Sequence, residues 1–395
     1  MPTIHDEGLL PRGKERLGLL ALTLLAFCTA VNANVLGPLL PFLAGEGLGV
    51  DAEALGWLLS ATNLASAAGA LVAGPVVDRV GRLRPMLLGM GVMALALAGH
   101  ALAATFPGLL ALRIVSGLAS GVAFTSASAA VADLVPYRRL GGAMGLFSAG
   151  IFLAVTVGLP AAVAMARSGA GGWRPFFLGL AALAALAAAA CLVLPRDLGR
   201  HGASGGGILL VLRQPAVVPV LLAVMLSVGA FFATVQYAGA WLDDSRLIRK
   251  EAQAPLWATL GVLSALGSII LSRLSDRFGR RTFLLVTTAG LAICIGLLGR
   301  VQSLTGLAVV GVPLALLGAG RTGPAQALLA ELVPQALRGS MMGVRAAAVT
   351  VGMALYGVVA GLVVQARGYH DFLLVTVATL VVAYFLLRSF VRRDL

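Results

Sequence analysis

The residues able to do chemistry in this chain are few, and the most distinctive of them come in two near-identical clusters. Asp78-Arg79-Val80-Gly81-Arg82 is matched by Asp276-Arg277-Phe278-Gly279-Arg280. Each cluster offers a carboxylate, two guanidiniums and a glycine within a tight turn. That set suits ion pairing and helix capping, and it lacks the nucleophile and base that bond cleavage would need. A second group consists of arginines inside apolar stretches, Arg113 and Arg321. A buried guanidinium must find a partner, a ligand or a wet cavity. The four histidines (His5, His100, His201, His370) and three cysteines (Cys28, Cys191, Cys294) are scattered and share no metal or disulfide spacing. Gly89-Met90-Gly91-Val92-Met93-Ala94 imitates a dinucleotide fingerprint, but no strand precedes it. No catalytic site, no metal and no cofactor is expected.

The elements that carry these residues are set by hydrophobicity. The chain is 59% hydrophobic and 11% charged, against about 25% charged in soluble domains. Apolar stretches run over 17–43, 55–77, 85–104, 107–134, 141–165, 174–194, 215–241, 254–273, 282–300, 305–332, 341–365 and 370–390. Most are near the roughly twenty residues that cross a hydrocarbon core as helix. Lipid offers no partner for backbone amides, so these spans must be helices. The expected fold is all-α and integral to a lipid bilayer, with twelve transmembrane helices.

The net charge of +13 would suit nucleic acid in a soluble protein. Here the basic residues lie mainly between spans, where they set orientation, and no nucleic-acid partner is expected. With a cytoplasmic N-terminus, 19 Lys and Arg fall on the cytoplasmic side and 7 outside, Arg167, Arg174, Arg246, Arg249, Lys250, Arg300 and Arg367. Arg113, Arg321 and Arg345 lie within spans. This bias places both termini in the cytoplasm. Arg12, Lys14 and Arg16 precede the first apolar run, which reaches Pro41. That is too long for a signal-peptide core of about 7–15 residues, so it reads as a retained span.

An offset of 198 residues superposes the two clusters, and the same offset brings Asp133-Leu134-Val135-Pro136 onto Glu331-Leu332-Val333-Pro334, Gly141 onto Gly339, and Met144-Gly145 onto Met342-Gly343. Two separate loops agreeing on one offset mark a duplication, two parallel six-helix repeats. The expected division is 1–194 for one bundle and 215–395 for the other. The polar stretch 195–214, with Gly202, Ser204, Gly205, Gly206 and Gly207, reads as a flexible cytoplasmic linker. Glycine pairs at four-residue spacing, Gly117/Gly121, Gly141/Gly145, Gly339/Gly343 and Gly357/Gly361, read as helix-packing points.

Over nearly its whole length the chain resembles the major facilitator superfamily. Gly74-Pro75-Val76-Val77-Asp78-Arg79-Val80-Gly81-Arg82-Leu83-Arg84 matches that family's loop between helices 2 and 3, and the loop recurs between helices 8 and 9. Arg113-Ile114-Val115-Ser116-Gly117, with Gly121 beyond, is similar to the helix 4 motif of its proton-coupled antiporters. Gly150 to Gly158-Leu159-Pro160 matches the family's helix 5 antiporter motif only in part. The nearest branch is the twelve-helix drug and metabolite exporters, arabinose-efflux-like permeases among them. Where their helix 1 often has an acidic residue, this chain has Asn32 and Asn34.

The resemblance implies a secondary transporter that moves a small organic solute by alternating access, with protons as the candidate coupling ion. Uniport or exchange of an anion or amphiphile is the alternative, and a transport-inactive receptor on the same fold is the alternative of another class. A multi-pass monomer in a bacterial inner membrane is expected. The resemblance also places Asp78 against the start of helix 11 near Gly339, and Asp276 against the start of helix 5 near Gly141. With Gly74, Gly81 and Gly279, these loops would latch the halves together, Arg79 and Arg82 pairing with Asp133, and Arg277 and Arg280 with Glu331. Helices 1, 4, 7 and 10 would line a central cavity. That makes Arg321, Arg113, Asn32, Asn34, Gln236, Tyr237 and Gln326 the candidate substrate contacts. The plainer alternative for each is a packing hydrogen bond between helices. Arg345, near the start of helix 11, is expected to snorkel to the interface.

Overall fold

The computed structural model describes residues 11–36, 39, 42, 52–168, 172–196, 198–199, 207–245, 247–248 and 253–390. Arg200, residues 201–206 of the linker, Arg246, Arg249, Lys250, Arg392 and Arg393, all used above in the linker or orientation argument, lie outside the described residues, as do His5, His201 and Pro41.

Among the described residues twelve long helices follow one another: α1 (Arg12–Asn34), α2 (Ala52–Val80), α3 (Leu83–His100), α4 (Phe106–Leu134), α5 (Leu140–Leu153, continuing through Ala154–Gly158 into Leu159–Arg167), α6 (Arg174–Ala190), α7 (Val217–Asp244), α8 (Ala254–Phe278), α9 (Arg280–Leu298), α10 (Leu304–Gly320 and Thr322–Glu331), α11 (Arg338–Arg367) and α12 (Tyr369–Phe390). Eleven are long and apolar enough over their described residues to cross a bilayer, and α2 completes the set. No strand occurs among the described residues.

Two helices expected to be continuous are interrupted, and proline explains both. Pro160 has no N–H, so α5 widens into a π turn over Ala154–Gly158, where the Leu159 amide reaches back to the Ala154 carbonyl. In α10 the helix breaks at Arg321. Pro324 cannot donate to the Gly320 carbonyl, and the Ser272 hydroxyl of α8 donates to that oxygen instead at 3.1 Å.

The halves meet along two related seams, α2 against α11 and α5 against α8. Close approach is bought with small residues. A Cβ on Gly343 would lie 2.3 Å from the Ala70 carbonyl oxygen, and one on Gly145 would lie 2.2 Å from that of Ser268. These four residues correspond pairwise at the 198-residue offset. Gly117 and Gly121 are packed just as tightly against α2, whereas Gly357 faces open space and is not a packing point. The core of buried apolar side chains is continuous across both halves near the face that carries the repeated loops, called the loop face below.

Candidate functional site

Both repeated loops use glycine to turn. Gly81 has φ 90° and Gly279 has φ 83°, backbone that a side chain would strain. The turn ends α2 and α8 and leaves Asp78 and Asp276 in the last turn of each helix, aimed across the seam. Asp78 accepts the Gly339 amide at 2.7 Å and the Ser340 amide at 2.7 Å. Asp276 accepts the Gly141 amide at 2.9 Å and the Gly142 amide at 2.8 Å. Each carboxylate thus takes two unpaired donors at the positive end of the opposite half's helix, worth up to about 2 kcal/mol when partly buried.

Arg82 and Arg280 tie these acids to the second pair of carboxylates. Arg82 is fully buried and donates to Asp78 at 2.9 Å, to Asp133 at 2.8 Å and to the Val77 carbonyl at 3.0 Å. Arg280 pairs with Asp276 at 3.1 Å and with Glu331, donates to the Tyr137 carbonyl, and stacks over the Tyr137 ring at 4.5 Å. Arg79 and Arg277 do not make the pairs expected of them. Both are exposed, because each sits one residue past the inward-facing aspartate and so points about 100° away around the helix.

Sequence reasoning missed further crossings. Arg338 donates to Asp133 at 2.9 Å and to the Ala132 carbonyl at 2.9 Å. Its counterpart in the repeat is Leu140, so the repeat gave no signal for it. Gln335 reaches Asp133 at 3.4 Å and Tyr137 reaches Glu331 at 3.4 Å. Deeper in, Gln326 of α10 donates to the Ser148 hydroxyl of α5 at 2.7 Å, a buried bond between the halves.

The other candidate contacts are dispersed. Arg113 is fully buried; it donates to the Asn32 carbonyl at 2.9 Å and side-chain oxygen at 3.3 Å, and lies over the Phe177 ring at 5.1 Å. Asn32 in turn donates to the Ser116 carbonyl at 3.3 Å. Asn34 is exposed and bonds back to the Ala30 carbonyl in its own helix at 2.8 Å. Gln236 is exposed. Tyr237 is partly buried, 6.2 Å from the Phe372 ring. Arg321 is buried and donates through one Nη to the Ser227 hydroxyl of α7, while its other Nη, also buried, has no partner among the described residues. Arg345 does not snorkel: it is 5% exposed, two turns into α11.

None of the seven candidate substrate contacts lines the apolar cavity between α5, α7, α8 and α10. That cavity, about 230 Å³, is bounded by Phe152 of α5, Phe231, Val235 and Trp241 of α7, Trp257 of α8 and Leu314 of α10, among others. It lies in the half of the protein away from the loop face and carries no charged lining residue. Residues of this kind leave no short motif, since single aromatics on separate helices become neighbours only on folding.

The Major Facilitator Superfamily profile matches residues 22–248 and 249–394. The chain belongs to that superfamily. It is a multi-pass membrane protein. Its curated relatives include the uncharacterized MFS-type transporter YceJ of Bacillus subtilis, 26% identical over 64% of this chain and 65% of the relative, so the chain spans about two thirds of that protein's length. The chloramphenicol resistance protein of Streptomyces lividans is 29% identical over 71% of each chain. The human organic anion transporter MFSD10 shares the fold, with a TM-score of 0.81 at 19% identity, over 96% of this chain and 100% of that one.

Proposed function

We propose that this protein is a secondary transporter that exports a small, largely apolar organic solute in exchange for protons, its loop face towards the cytoplasm. The observation that carries this reading is the opposition of two features. The loop face is shut by paired carboxylate-to-helix contacts between the halves, while an uncharged, aromatic-rich cavity stands in the opposite half of the molecule. Alternating access needs such a pair: a solute site, and an inter-half closure that can break. The latch contacts are short and local, so they can open without unfolding either bundle. Export fits the exporter-like motifs and the resistance protein among the relatives. Proton coupling rests on the resemblance of the Arg113 motif.

A second reading has its own support. Ser227 lies one helical turn beneath Phe231, a cavity-lining residue of α7, and holds Arg321 there with one Nη unpartnered. An amphiphile could place its apolar body in the cavity and its acidic head on Arg321, which favours exchange or uniport of an organic anion.

Flux into proteoliposomes, with and without a pH gradient, tests both. Gradient-driven uptake of an uncharged aromatic solute supports the first reading. Gradient-independent uptake confined to organic acids supports the second. Solute binding with no flux in either condition would overturn both and leave a receptor.

A further inference from the structure

A second cavity, about 340 Å³, opens at the loop face where α1, α5 and α8 meet, and its lining is basic: Arg138, Arg139, Arg273 and Arg277, with Glu15 and Asp276. We propose that this crevice binds the headgroup of an anionic phospholipid, which bridges the two halves on the α5–α8 seam.

The charges left over point to an anion. Glu15 is already held by Arg139, at 2.8 Å and 3.0 Å. Asp276 is already held by the amides of Gly141 and Gly142 and by Arg280. Arg138, Arg273 and Arg277 are exposed and have no carboxylate within ion-pair distance among the described residues. Three arginines therefore line one opening with no carboxylate partner among the described residues. Guanidinium forks suit phosphate oxygens, and basic pockets between helices at a membrane face suit anionic headgroups.

The depth profile of α8 selects lipid over a free anion. Leu266, Ile270, Arg273 and Arg277 fall at helical spacing on one stripe, and Leu266 and Ile270 are 45% and 59% exposed. Basic groups at the surface continue, about 10 Å deeper, into apolar side chains open to acyl chains. A free phosphate would use only the first part of that stripe.

Orientation alone does not explain the cluster, since the positive-inside bias is served by arginine anywhere on this face. The repeat shows the difference. At the 198-residue offset, Arg138, Arg139 and Arg273 correspond to Ala336, Leu337 and Pro75, and only Arg277 meets another arginine, Arg79. Glu15 changes the other way, to Arg213. The α2–α11 seam thus lacks the arrangement, although its carboxylate-to-amide contacts are the same. Because Arg138 belongs to one half and Arg273 and Arg277 to the other, a bound headgroup would hold this seam closed.

The test is thermal unfolding of the purified full chain in micelles doped with phosphatidylglycerol, phosphatidylcholine or inorganic phosphate at equal phosphate concentration. Phosphatidylglycerol alone should raise the midpoint, by a few degrees. The rise should vanish in Arg138→Gln/Arg273→Gln/Arg277→Gln, be reduced in Arg277→Gln alone, and persist in Arg79→Gln. These side chains are exposed, so each variant should match the wild type without lipid. An equal rise with inorganic phosphate would assign the site to a free anion and overturn the lipid. An equal rise with phosphatidylcholine, or a rise kept in the triple variant, would overturn the site itself. None of these outcomes depends on transport.

Discussion

Asp78 accepts the Gly339 amide across the seam between the halves at 2.7 Å, and its second oxygen takes the next amide, Ser340. A carboxylate can do this with both oxygens; a carboxamide has only one acceptor. Asp78→Asn should therefore break one contact, turn an N–H towards the Ser340 amide, and lose the charge that favours the helix start. The loop face should open more often. The rate at which a thiol reagent reaches a cysteine placed at Ser148, buried between the halves, should rise about tenfold for a loss near 1.4 kcal/mol. An unchanged rate would rule out a latch at Asp78.

Gly339 gives a steric version of the same test. A Cβ there would stand 2.5 Å from an Asp78 carboxylate oxygen and 2.9 Å from the Gly74 carbonyl oxygen. Gly339→Ala should push α11 from α2 without altering any charge. Its counterpart Gly141→Ala would meet Asp276 at 2.6 Å and should act alike on the other seam. Both should raise reagent access to the Ser148 position, while Gly91→Ala, which meets nothing within 4 Å, should not. If all three behaved alike, close approach at the latch would not be what holds the face shut.

Why the sequence disclosed so much of this arrangement, and so little of the cavity, has a physical basis. A span must be long and apolar whatever its role, so the helices are visible as lengths. Asp78 and Asp276 are legible because a charge at a helix end in an apolar chain needs a local answer, and the duplication repeats that answer. Arg79 and Arg277 misled because adjacency in sequence is about 100° apart on a helix. The break at Arg321 was concealed by its apolar flanks, although Pro324 and the glycines Gly320 and Gly323 mark it in retrospect. The cavity is built from Phe, Trp and Leu, which in such a chain look no different from residues facing lipid.

Arg82 and Arg79 should separate cleanly in stability. Arg82→Ala leaves Asp78 with only its amide contacts and removes one of the guanidiniums on buried Asp133. Breaking a buried pair from one side costs about 3–5 kcal/mol, with the amides and Arg338 placing this case towards the lower figure. Arg79 is exposed, and Arg79→Ala should stay within about 0.5 kcal/mol of the wild type. Reversible unfolding in mixed micelles measures both. Similar losses from the two would show that general loop charge, and not the buried pair, supports the fold.

Arg321 carries the sharpest statement about the solute. Arg321→Gln keeps a donor for the Ser227 hydroxyl but removes the charge and the unpartnered Nη. A hydrogen bond to a charged group is worth about 1.5–3 kcal/mol, so an organic acid that reaches this residue should bind at least about tenfold more weakly to the variant. Its uncharged isostere, held by the apolar cavity alone, should bind as before. Phe231→Ala should do the reverse in kind: it removes an aromatic wall common to both solutes and should weaken both. Isothermal titration with the matched pair distinguishes the cases. Equal weakening of acid and isostere by Arg321→Gln would mean that the arginine braces α10 against α7 and meets no solute. Selective weakening of the acid would make Arg321 the residue that reads its head.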